Sequence, residues 1–336
     1  MRKFKDVWIL WVGLLIIAYL SGPKLSAPLL DEPLPVVSCN LNQLENYVAQ
    51  KESKFSIKPD NQSRIIWANN LQHQQTEYVL LYLHGFSASW FEGADINLDY
   101  AKKFGMNAYF PRLYGHGLMN AQDALLDMKP DSLYNSALEA LVIASKLGKK
   151  VIIMSTSTGG TLSLKIAAEH PELVHSLILL SPNAQIKNKC ASFLTMPWGL
   201  QTVRLFTHSK FRDTGEKDTL TNKYWYTKYR LEGVGYLQQL IDNAMNKKVL
   251  SKVTCPVFMG YYYKDDNKQD QVVEVKGMLK MFDKIATPDA QKVKVAFPDA
   301  GCHIIGNSHY SKSFSQVENE VFKFTTNILK INPVVK

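Results

Sequence analysis

The sequence predicts an α/β fold in which a mostly parallel β-sheet is covered by helices on both faces. Short apolar runs alternate with longer helical stretches along most of the chain, which is the pattern of repeated strand–helix units. With 336 residues, the chain is long enough for one large domain of this kind with an insertion. The predicted strands lie near residues 63–68, 79–83, 107–110, 151–154, 176–180, 257–262 and 292–297, and the predicted helices at 92–104, 131–147, 159–169, 272–284 and 313–330.

The most informative stretch is residues 151–160, where apolar residues run into a turn of small residues that leads into a helical segment. Ser157 stands at the corner between strand and helix, where a nucleophile elbow holds its serine. The usual elbow pattern is Gly-x-Ser-x-Gly; here Ser155 takes the first glycine position and Gly159 keeps the second. Small residues are needed because the strand and helix backbones nearly touch. Taken alone, the stretch also fits a buried turn without chemistry.

Further motifs follow other predicted strands. One apolar run ends in His-Gly-Phe at residues 84–86, and another strand leads into a Gly-His-Gly turn at residues 115–117. An acidic loop at residues 264–270 follows the strand that starts near Pro256, and the last strand runs into a loop that carries His303. The order along the chain is therefore serine, acid, histidine, which differs from the orders of chymotrypsin and subtilisin.

In these motifs, from about residue 60 to 330, the chain resembles an α/β-hydrolase of the branch that contains monoglyceride lipases, carboxylesterases and serine aminopeptidases. The resemblance implies the α/β-hydrolase fold with a helical lid insertion, and acyl transfer to water through an acyl-enzyme. It implies Ser157 as nucleophile and His303 as general base. The backbone N–H donors of the oxyanion hole would belong to Phe86 and Thr158. No metal and no organic cofactor is implied.

Three aspartates of the acidic loop are candidates for the acid that orients His303. A general-base histidine needs an anionic partner to fix its tautomer. Asp270 is preferred, because the related pattern often has an aspartate followed closely by a Val-Val pair, here residues 272–273. Asp266 is nearer to the end of the strand and is the alternative, and Asp265 ranks third.

Residues 183–250 interrupt the strand–helix rhythm and form the predicted lid insertion. They are rich in aromatic side chains, which would line an apolar acyl pocket and exclude water, or would simply hold the insertion together. The predicted division of the chain is a membrane anchor or signal segment at residues 1–24, a proline-rich tether and lead-in at 25–59, and an α/β-hydrolase domain at 60–336.

The N-terminus starts with basic residues and continues into an apolar stretch, Val7 to Leu20. We expect an uncleaved membrane anchor rather than a cleaved signal peptide, because small residues are poorly placed for cleavage; a buried helix is a third alternative. The stretch is nonetheless shorter than the roughly 20 residues that span a bilayer comfortably. With basic residues first, the N-terminus would be cytoplasmic and the catalytic domain outside, or the protein would be secreted after cleavage.

Charge and cysteines exclude other function classes. The formal net charge of +9 comes from scattered lysines without a nucleic-acid-binding motif, so nucleic acid is not an expected partner. The four cysteines have no metal-ligand spacing. The sequence therefore predicts an esterase or lipase for a small-molecule or lipid-like ester. The alternatives are a peptidase or amidase of the same fold, which would need an acidic lid site for an α-amine, and a non-catalytic binding protein.

Overall fold

The central sheet contains each of the seven strands that the sequence predicts. The computed structural model describes residues 2–31, 33–119 and 122–334. The strands within these ranges are β1 (Arg64–Ile66), β2 (Thr76–Leu83), β3 (Asn107–Phe110), β4 (Gly148–Thr156), β5 (Val174–Leu180), β6 (Phe211–Asp213), β7 (Lys228–Arg230), β8 (Val257–Tyr261) and β9 (Lys292–Ala296). Seven of them form one sheet in the order β1-β3-β2-β4-β5-β8-β9, in which only β1 runs antiparallel to its neighbour. The mostly parallel sheet is confirmed.

The helices of the described ranges include those that the sequence predicts, in the predicted order. They are α1 (Arg2–Leu20), α2 (Leu44–Glu52), α3 (Ile96–Lys103), α4 (Pro130–Leu147), α5 (Thr158–Glu169), α6 (Gly199–Thr207), α7 (Thr219–Tyr224), α8 (Leu231–Ala244), α9 (Lys247–Leu250), α10 (Val275–Phe282) and α11 (Phe314–Asn327). The five predicted helices correspond to α3, α4, α5, α10 and α11. The first of them starts four residues later than predicted, after a short 3-10 turn at Trp90–Gly93.

Strand β2 shows why the central strands are continuous apolar runs in the sequence. Val79, Leu81 and Leu83 point into the core that α4 and α5 complete, and Leu80 and Tyr82 point into the core that α3 and α11 complete. Successive side chains of a strand face opposite sides of the sheet. Because helices cover both sides, every one of these side chains is fully buried. The sheet therefore presents only its strand ends, and the loops that follow them, for a functional site.

The segment between β5 and β8 contains α6, β6, α7, β7, α8 and α9. Strands β6 and β7 form a separate antiparallel pair. Helix α8 packs into the main core through Leu237, Leu240 and Ile241, so the segment is anchored on the α4 and α5 side of the sheet. The predicted bounds of the lid and the predicted domain division stay predictions.

The N-terminal segment is bonded to this inserted segment at three points. The indole Nε1 of Trp198 donates to the carbonyl oxygen of Ala18, and its backbone N–H donates to Pro23, each at 3.0 Å. The side-chain amide of Gln239 donates to the carbonyl oxygen of Ser26 at 2.9 Å. The chain before the sheet is thus connected to the segment that follows β5.

The prediction of an N-terminal membrane anchor is wrong. Within the described ranges, no helix combines the length and the apolar character needed to cross a membrane. Helix α1 has 19 residues, but its start is charged and its apolar part is only Val7 to Leu20. At 1.5 Å per residue, that part is about 21 Å long, against a bilayer core of about 30 Å. The membrane as a partner, and the localisation of the catalytic domain by an N-terminal anchor, depended on this helix and are corrected with it.

Candidate active site

Ser157 lies at the junction between β4 and α5. Its φ of 54° and ψ of −117° fall outside the regions that L-residues usually adopt, so the backbone turns sharply there. The turn is fixed by three hydrogen bonds: the N–H of Ser157 donates to Leu180 at 3.1 Å, and its carbonyl oxygen accepts the N–H groups of Gly160 and Asn183 at 2.9 Å. The backbone at Ser157 thus has the shape of a nucleophile elbow.

The positions two residues before and after Ser157 differ in how much space they offer. A Cβ on Gly159 would lie 2.0 Å from the carbonyl oxygen of Leu83, a backbone atom at the end of β2. Ser155 is paired with Leu83 in the strand register and is fully buried. Its hydroxyl has no hydrogen-bond partner among the residues that the structure describes. Position 159 therefore requires glycine, whereas position 155 accepts a small side chain.

The loop after β2 carries the first predicted oxyanion donor, the N–H of Phe86. On either side of it, the N–H of Gly85 donates to the carboxylate of Glu92 at 2.5 Å, and that of Ser87 donates to the ring of a buried histidine at 3.1 Å. The N–H of Phe86 has no acceptor within the described ranges. Thr158 is the first residue of α5, where N–H groups lack an intrahelical acceptor. Both predicted donors are therefore available to a ligand.

Two buried histidines, His84 and His116, hold this loop against the Gly-His-Gly turn. Their rings meet edge to face, with centroids 4.9 Å apart. Nε2 of His84 accepts the N–H of Leu113 at 3.2 Å, and Nε2 of His116 accepts the N–H of Ser87. Both imidazoles must be neutral to accept these hydrogen bonds. Burial lowers the pKa of His116 to about 4, and that of His84 well below its ordinary value, so both stay neutral near pH 7.

The structure brings together His303, which follows β9, and Asp270, which follows β8. Nδ1 of His303 lies 2.6 Å from Oδ2 of Asp270. The other oxygen, Oδ1, accepts the N–H groups of Val272 and Val273 at 2.8 and 2.9 Å. Asp270 is fully buried, and Nε2 of His303 is buried without a partner among the described residues. One ring nitrogen is thus held by an acid, and the other is free to exchange a proton.

The electrostatics of this pair favour the charged acid and a more basic imidazole. Burial alone would raise the pKa of Asp270, but His303 and the backbone hydrogen bonds outweigh burial and bring that pKa below its ordinary value. Burial alone would lower the pKa of His303, but the charge and hydrogen bond of Asp270 raise it above its ordinary value. Such an imidazole is well suited to take a proton from a neighbouring hydroxyl.

The other two candidate acids belong to a tight, exposed turn. Oδ1 of Asp265 accepts the N–H groups of Asn267 and Lys268, both at 2.9 Å. Oδ1 of Asp266 accepts the hydroxyl of Tyr263 at 3.3 Å. These carboxylates stabilise the turn itself, and Asp270 is the acid of the loop that is bonded to the imidazole. The catalytic roles assigned from the sequence stay predictions.

Two further ionisable residues, Glu92 and Cys302, lie near these groups. Glu92 was not singled out from the sequence, because an acid at the start of a predicted helix is what helix termini ordinarily carry. The structure instead buries it beside the loop after β2, with only 3% of its surface exposed. Cys302 adjoins the catalytic histidine candidate, but burial raises the pKa of its thiol to about 11. At neutral pH it is a thiol and not a nucleophilic thiolate.

The inserted segment packs directly on the loop after β2. The rings of Phe86 and Tyr229 meet edge to face, with centroids 5.1 Å apart. The backbone N–H of Tyr226 donates to the carbonyl oxygen of Ser87 at 2.8 Å. Gly233 approaches the same phenyl ring: a Cβ built there would lie 3.5 Å from it. The inserted segment therefore forms one wall beside Phe86, the predicted oxyanion donor.

No part of the described chain brings together three or more His, Cys, Asp or Glu side chains in an arrangement that would hold a metal ion. The groups that the site offers for chemistry are thus a hydroxyl, an imidazole, carboxylates and backbone N–H donors.

Comparison with known proteins identifies the family of the chain. A family model described as serine aminopeptidase, S33, matches residues 74–296, well over half of the chain. Human (Homo sapiens) serine hydrolase BPHL is 25% identical over 210 residues, which cover 58% of this chain and 67% of that protein.

Solved structures share the fold. A structure of the metagenome-derived lipolytic enzymes LipS and LipT aligns with a TM-score of 0.61 at 15% identity, covering 80% of this chain and 98% of that one. Monoacylglycerol lipase from Paleococcus ferrophilus gives a TM-score of 0.57 at 12% identity, covering 78% and 96%. A soluble variant of monoglyceride lipase from Saccharomyces cerevisiae gives 0.53 at 15% identity, covering 78% and 90%. The chain therefore belongs to the serine aminopeptidase S33 family and is a serine hydrolase with the α/β-hydrolase fold.

Proposed function

We propose that this enzyme hydrolyses carboxylic esters, with Ser157 as nucleophile, His303 as general base and Asp270 as the acid that orients the base. The observation that supports this most is the 2.6 Å hydrogen bond between His303 and Asp270, which leaves Nε2 without a partner among the described residues. The strained backbone of Ser157 at the strand–helix corner is the second support.

In the acylation step, Oγ of Ser157 attacks the carbonyl carbon of the ester while Nε2 of His303 takes its proton. A serine hydroxyl is a weak nucleophile at neutral pH and needs this base. Asp270 keeps the other proton on Nδ1 and stabilises the imidazolium. The N–H groups of Phe86 and Thr158 donate to the oxyanion that forms, and each such donor is worth roughly 3 kcal/mol.

The tetrahedral intermediate then collapses and the bond to the leaving alcohol breaks. The leaving oxygen takes the proton from His303, and the acyl group stays on Ser157. A water molecule next gives a proton to His303 and attacks the acyl carbon. Collapse of the second intermediate releases the carboxylic acid and returns the proton to Ser157, which restores the enzyme.

We further propose an acyl chain or other apolar group as the part of the substrate that the inserted segment covers. Phe86 and Tyr229 form an aromatic contact beside the oxyanion donor, and an apolar wall at that place favours an apolar acyl group. The monoglyceride lipases among the proteins of the same fold are consistent with a lipid-like ester.

A fluorophosphonate probe, which reacts with activated serines, tests the nucleophile. Native protein should be labelled and should hydrolyse p-nitrophenyl esters, and Ser157→Ala should lose both. Ser155→Ala, two residues away and also buried, is the matched control and should retain both. Labelling or turnover that survives in Ser157→Ala would overturn the proposal. A series from p-nitrophenyl acetate to octanoate then measures the preferred acyl length.

The family description favours a second candidate, removal of an N-terminal amino acid from a peptide. That reaction needs an acidic group to bind the substrate's α-amine. Glu232, the buried acid of the inserted segment, is already bonded to both Arg204 and Arg230. Esters are therefore the preferred substrates. Hydrolysis of amino-acid p-nitroanilides faster than p-nitrophenyl esters would reverse this preference.

A further inference from the structure

The loop after β2 contains a buried carboxylate that the reaction described above does not use. Oε2 of Glu92 accepts the N–H of Gly85. A Cβ built on Gly85 would lie 2.7 Å from Oε1 of Glu92 and 3.0 Å from Cβ of Ser157. The carboxylate and the nucleophile therefore flank the same glycine. Burying a carboxyl group is costly unless its partners compensate, so its position beside the serine calls for an explanation.

We propose that Glu92 is a positioning residue for ester hydrolysis: it fixes Gly85 so that the next N–H, that of Phe86, points into the oxyanion hole, and its negative charge acts on His303. The inference rests on the proposed function, because it assigns a role within that reaction.

The positioning follows from the geometry of one peptide unit. The carbonyl group of Gly85 and the N–H of Phe86 belong to the same planar unit, so the direction of one fixes the direction of the other. Nδ1 of His84 donates to that carbonyl oxygen at 2.9 Å, and Glu92 accepts the N–H at the other end of the glycine. Glycine rotates more freely than any other residue. Both ends must therefore be held for the Phe86 N–H to keep its direction.

The charge of Glu92 acts on the base. The charge of Glu92 interacts with two ionisable groups, Tyr82 of β2 and His303 of the loop after β9, and Asp270 is hydrogen-bonded to that imidazole. Burial raises the pKa of Glu92 to about 7, while the N–H of Gly85 and the nearby imidazole favour its ionised form. Ionised Glu92 in turn raises the pKa of His303. Removing the charge should therefore lower that pKa.

Two substitutions separate these effects. In Glu92→Gln, the amide oxygen still accepts the N–H of Gly85, but the charge is gone. We expect kcat for p-nitrophenyl butyrate to stay within about threefold of the native value, and the acidic limb of kcat/KM to move to lower pH. In Glu92→Leu, the N–H loses its acceptor. There kcat should fall tenfold or more with KM little changed, since loss of a complete oxyanion donor costs about 10²–10³-fold.

Glu318 on α11 provides the matched control. It is a half-buried carboxyl group whose pKa burial also raises, and Glu318→Gln should leave kcat and the pH profile unchanged. Circular dichroism checks that each variant is folded. If Glu92→Leu does not fold, the pH profile of Glu92→Gln decides by itself.

Native kcat in Glu92→Leu would overturn the inference. An unmoved acidic limb in Glu92→Gln, or a loss of kcat there as large as in Glu92→Leu, would do the same. Labelling by a fluorophosphonate distinguishes this failure from that of the proposed function. If Ser157→Ala is still labelled, the proposed function fails; if it is not labelled while the Glu92 variants behave as native, only the role of Glu92 fails.

Discussion

Replacement of Asp270 by asparagine should abolish turnover with little effect on the fold. One carboxylate oxygen accepts the N–H groups of Val272 and Val273, and the other accepts Nδ1–H of His303. An asparagine has a single acceptor oxygen and an NH2 group that only donates. Because two backbone donors hold the oxygen, the NH2 group must face the imidazole. His303 then carries its proton on Nε2 and cannot take the proton of Ser157.

The size of the loss follows from the tautomer. In a related triad, this change costs roughly 10⁴-fold in turnover. At about 1.36 kcal/mol for each tenfold, that is about 5.4 kcal/mol of transition-state stabilisation. Both backbone hydrogen bonds to residue 270 survive in the asparagine variant, so its thermal unfolding should remain close to that of the native protein. Initial rates of p-nitrophenyl butyrate hydrolysis by the purified variant measure the effect.

The same loop supplies the controls. Asp265→Asn and Asp266→Asn change exposed carboxylates that are bonded within their own turn, and each should hydrolyse the ester within about twofold of the native rate. A folded Asp270→Asn variant with more than a tenth of native turnover would refute the tautomer argument. If Asp266→Asn is instead the inactive variant, the acid is that residue.

The remaining predictions concern stability and pH. Gly159→Ala should prevent stable folding, because the added Cβ would lie 2.0 Å from the carbonyl oxygen of Leu83. Ser155→Ala should shift Tm by only a few degrees, because the hydroxyl that it removes has no hydrogen-bond partner among the described residues. Thermal unfolding of the two variants measures the difference. The urea concentration at the midpoint of unfolding should fall as pH is lowered from 6.5 towards 4. The pKa of His116 is about 4 in the folded protein and returns to its ordinary value on unfolding, so the unfolded chain binds the proton more readily. His116→Gln should reduce this dependence of the midpoint on pH. The acidic limb of kcat/KM should lie above pH 6.5, because its acid partner raises the pKa of His303, and a protonated imidazole cannot act as base.

Each of these predictions has a result that contradicts it. Native stability in Gly159→Ala would mean that strand and helix can separate at the elbow. An unchanged pH slope in His116→Gln would mean that this histidine is not held neutral in the folded protein. An acidic limb below pH 6.5 would mean that burial outweighs the carboxylate at His303.

Sequence reasoning was most successful for the sheet, because helices cover both of its faces and the central strands β2, β4, β5 and β8 therefore contain long apolar runs. The first residue of α3 was harder to predict from the sequence. The side chain of Ser89 accepts the N–H of Phe91 and starts a short turn, and Asp95 has a φ of 74°, so the regular helix begins only at Ile96. Such local hydrogen bonds compete with the helix but do not change its apolar pattern.

The positions of the candidate site residues after their strands were predictable from chain order, whereas contacts between distant loops were not. Ser157 and His303 follow strands in the order of the resembling family, and this order indicated them. The contact of Ser87 with His116 joins residues 29 positions apart and has no periodic signal. Glu92 is likewise defined by the approach of Gly85, which only the folded loop brings about.

The connection between the N-terminal segment and the inserted segment makes the two mechanically dependent. Trp198 is hydrogen-bonded to Ala18 and Pro23, and Gln239 is hydrogen-bonded to Ser26. Movement of the inserted segment away from the sheet therefore affects the N-terminal segment as well. Either residues 18–26 travel with it, or three hydrogen bonds break first. Any movement of the inserted segment that admits a bulky substrate is therefore opposed by these hydrogen bonds to residues 18–26. A chain shortened beyond Ser26 would lack all three of them.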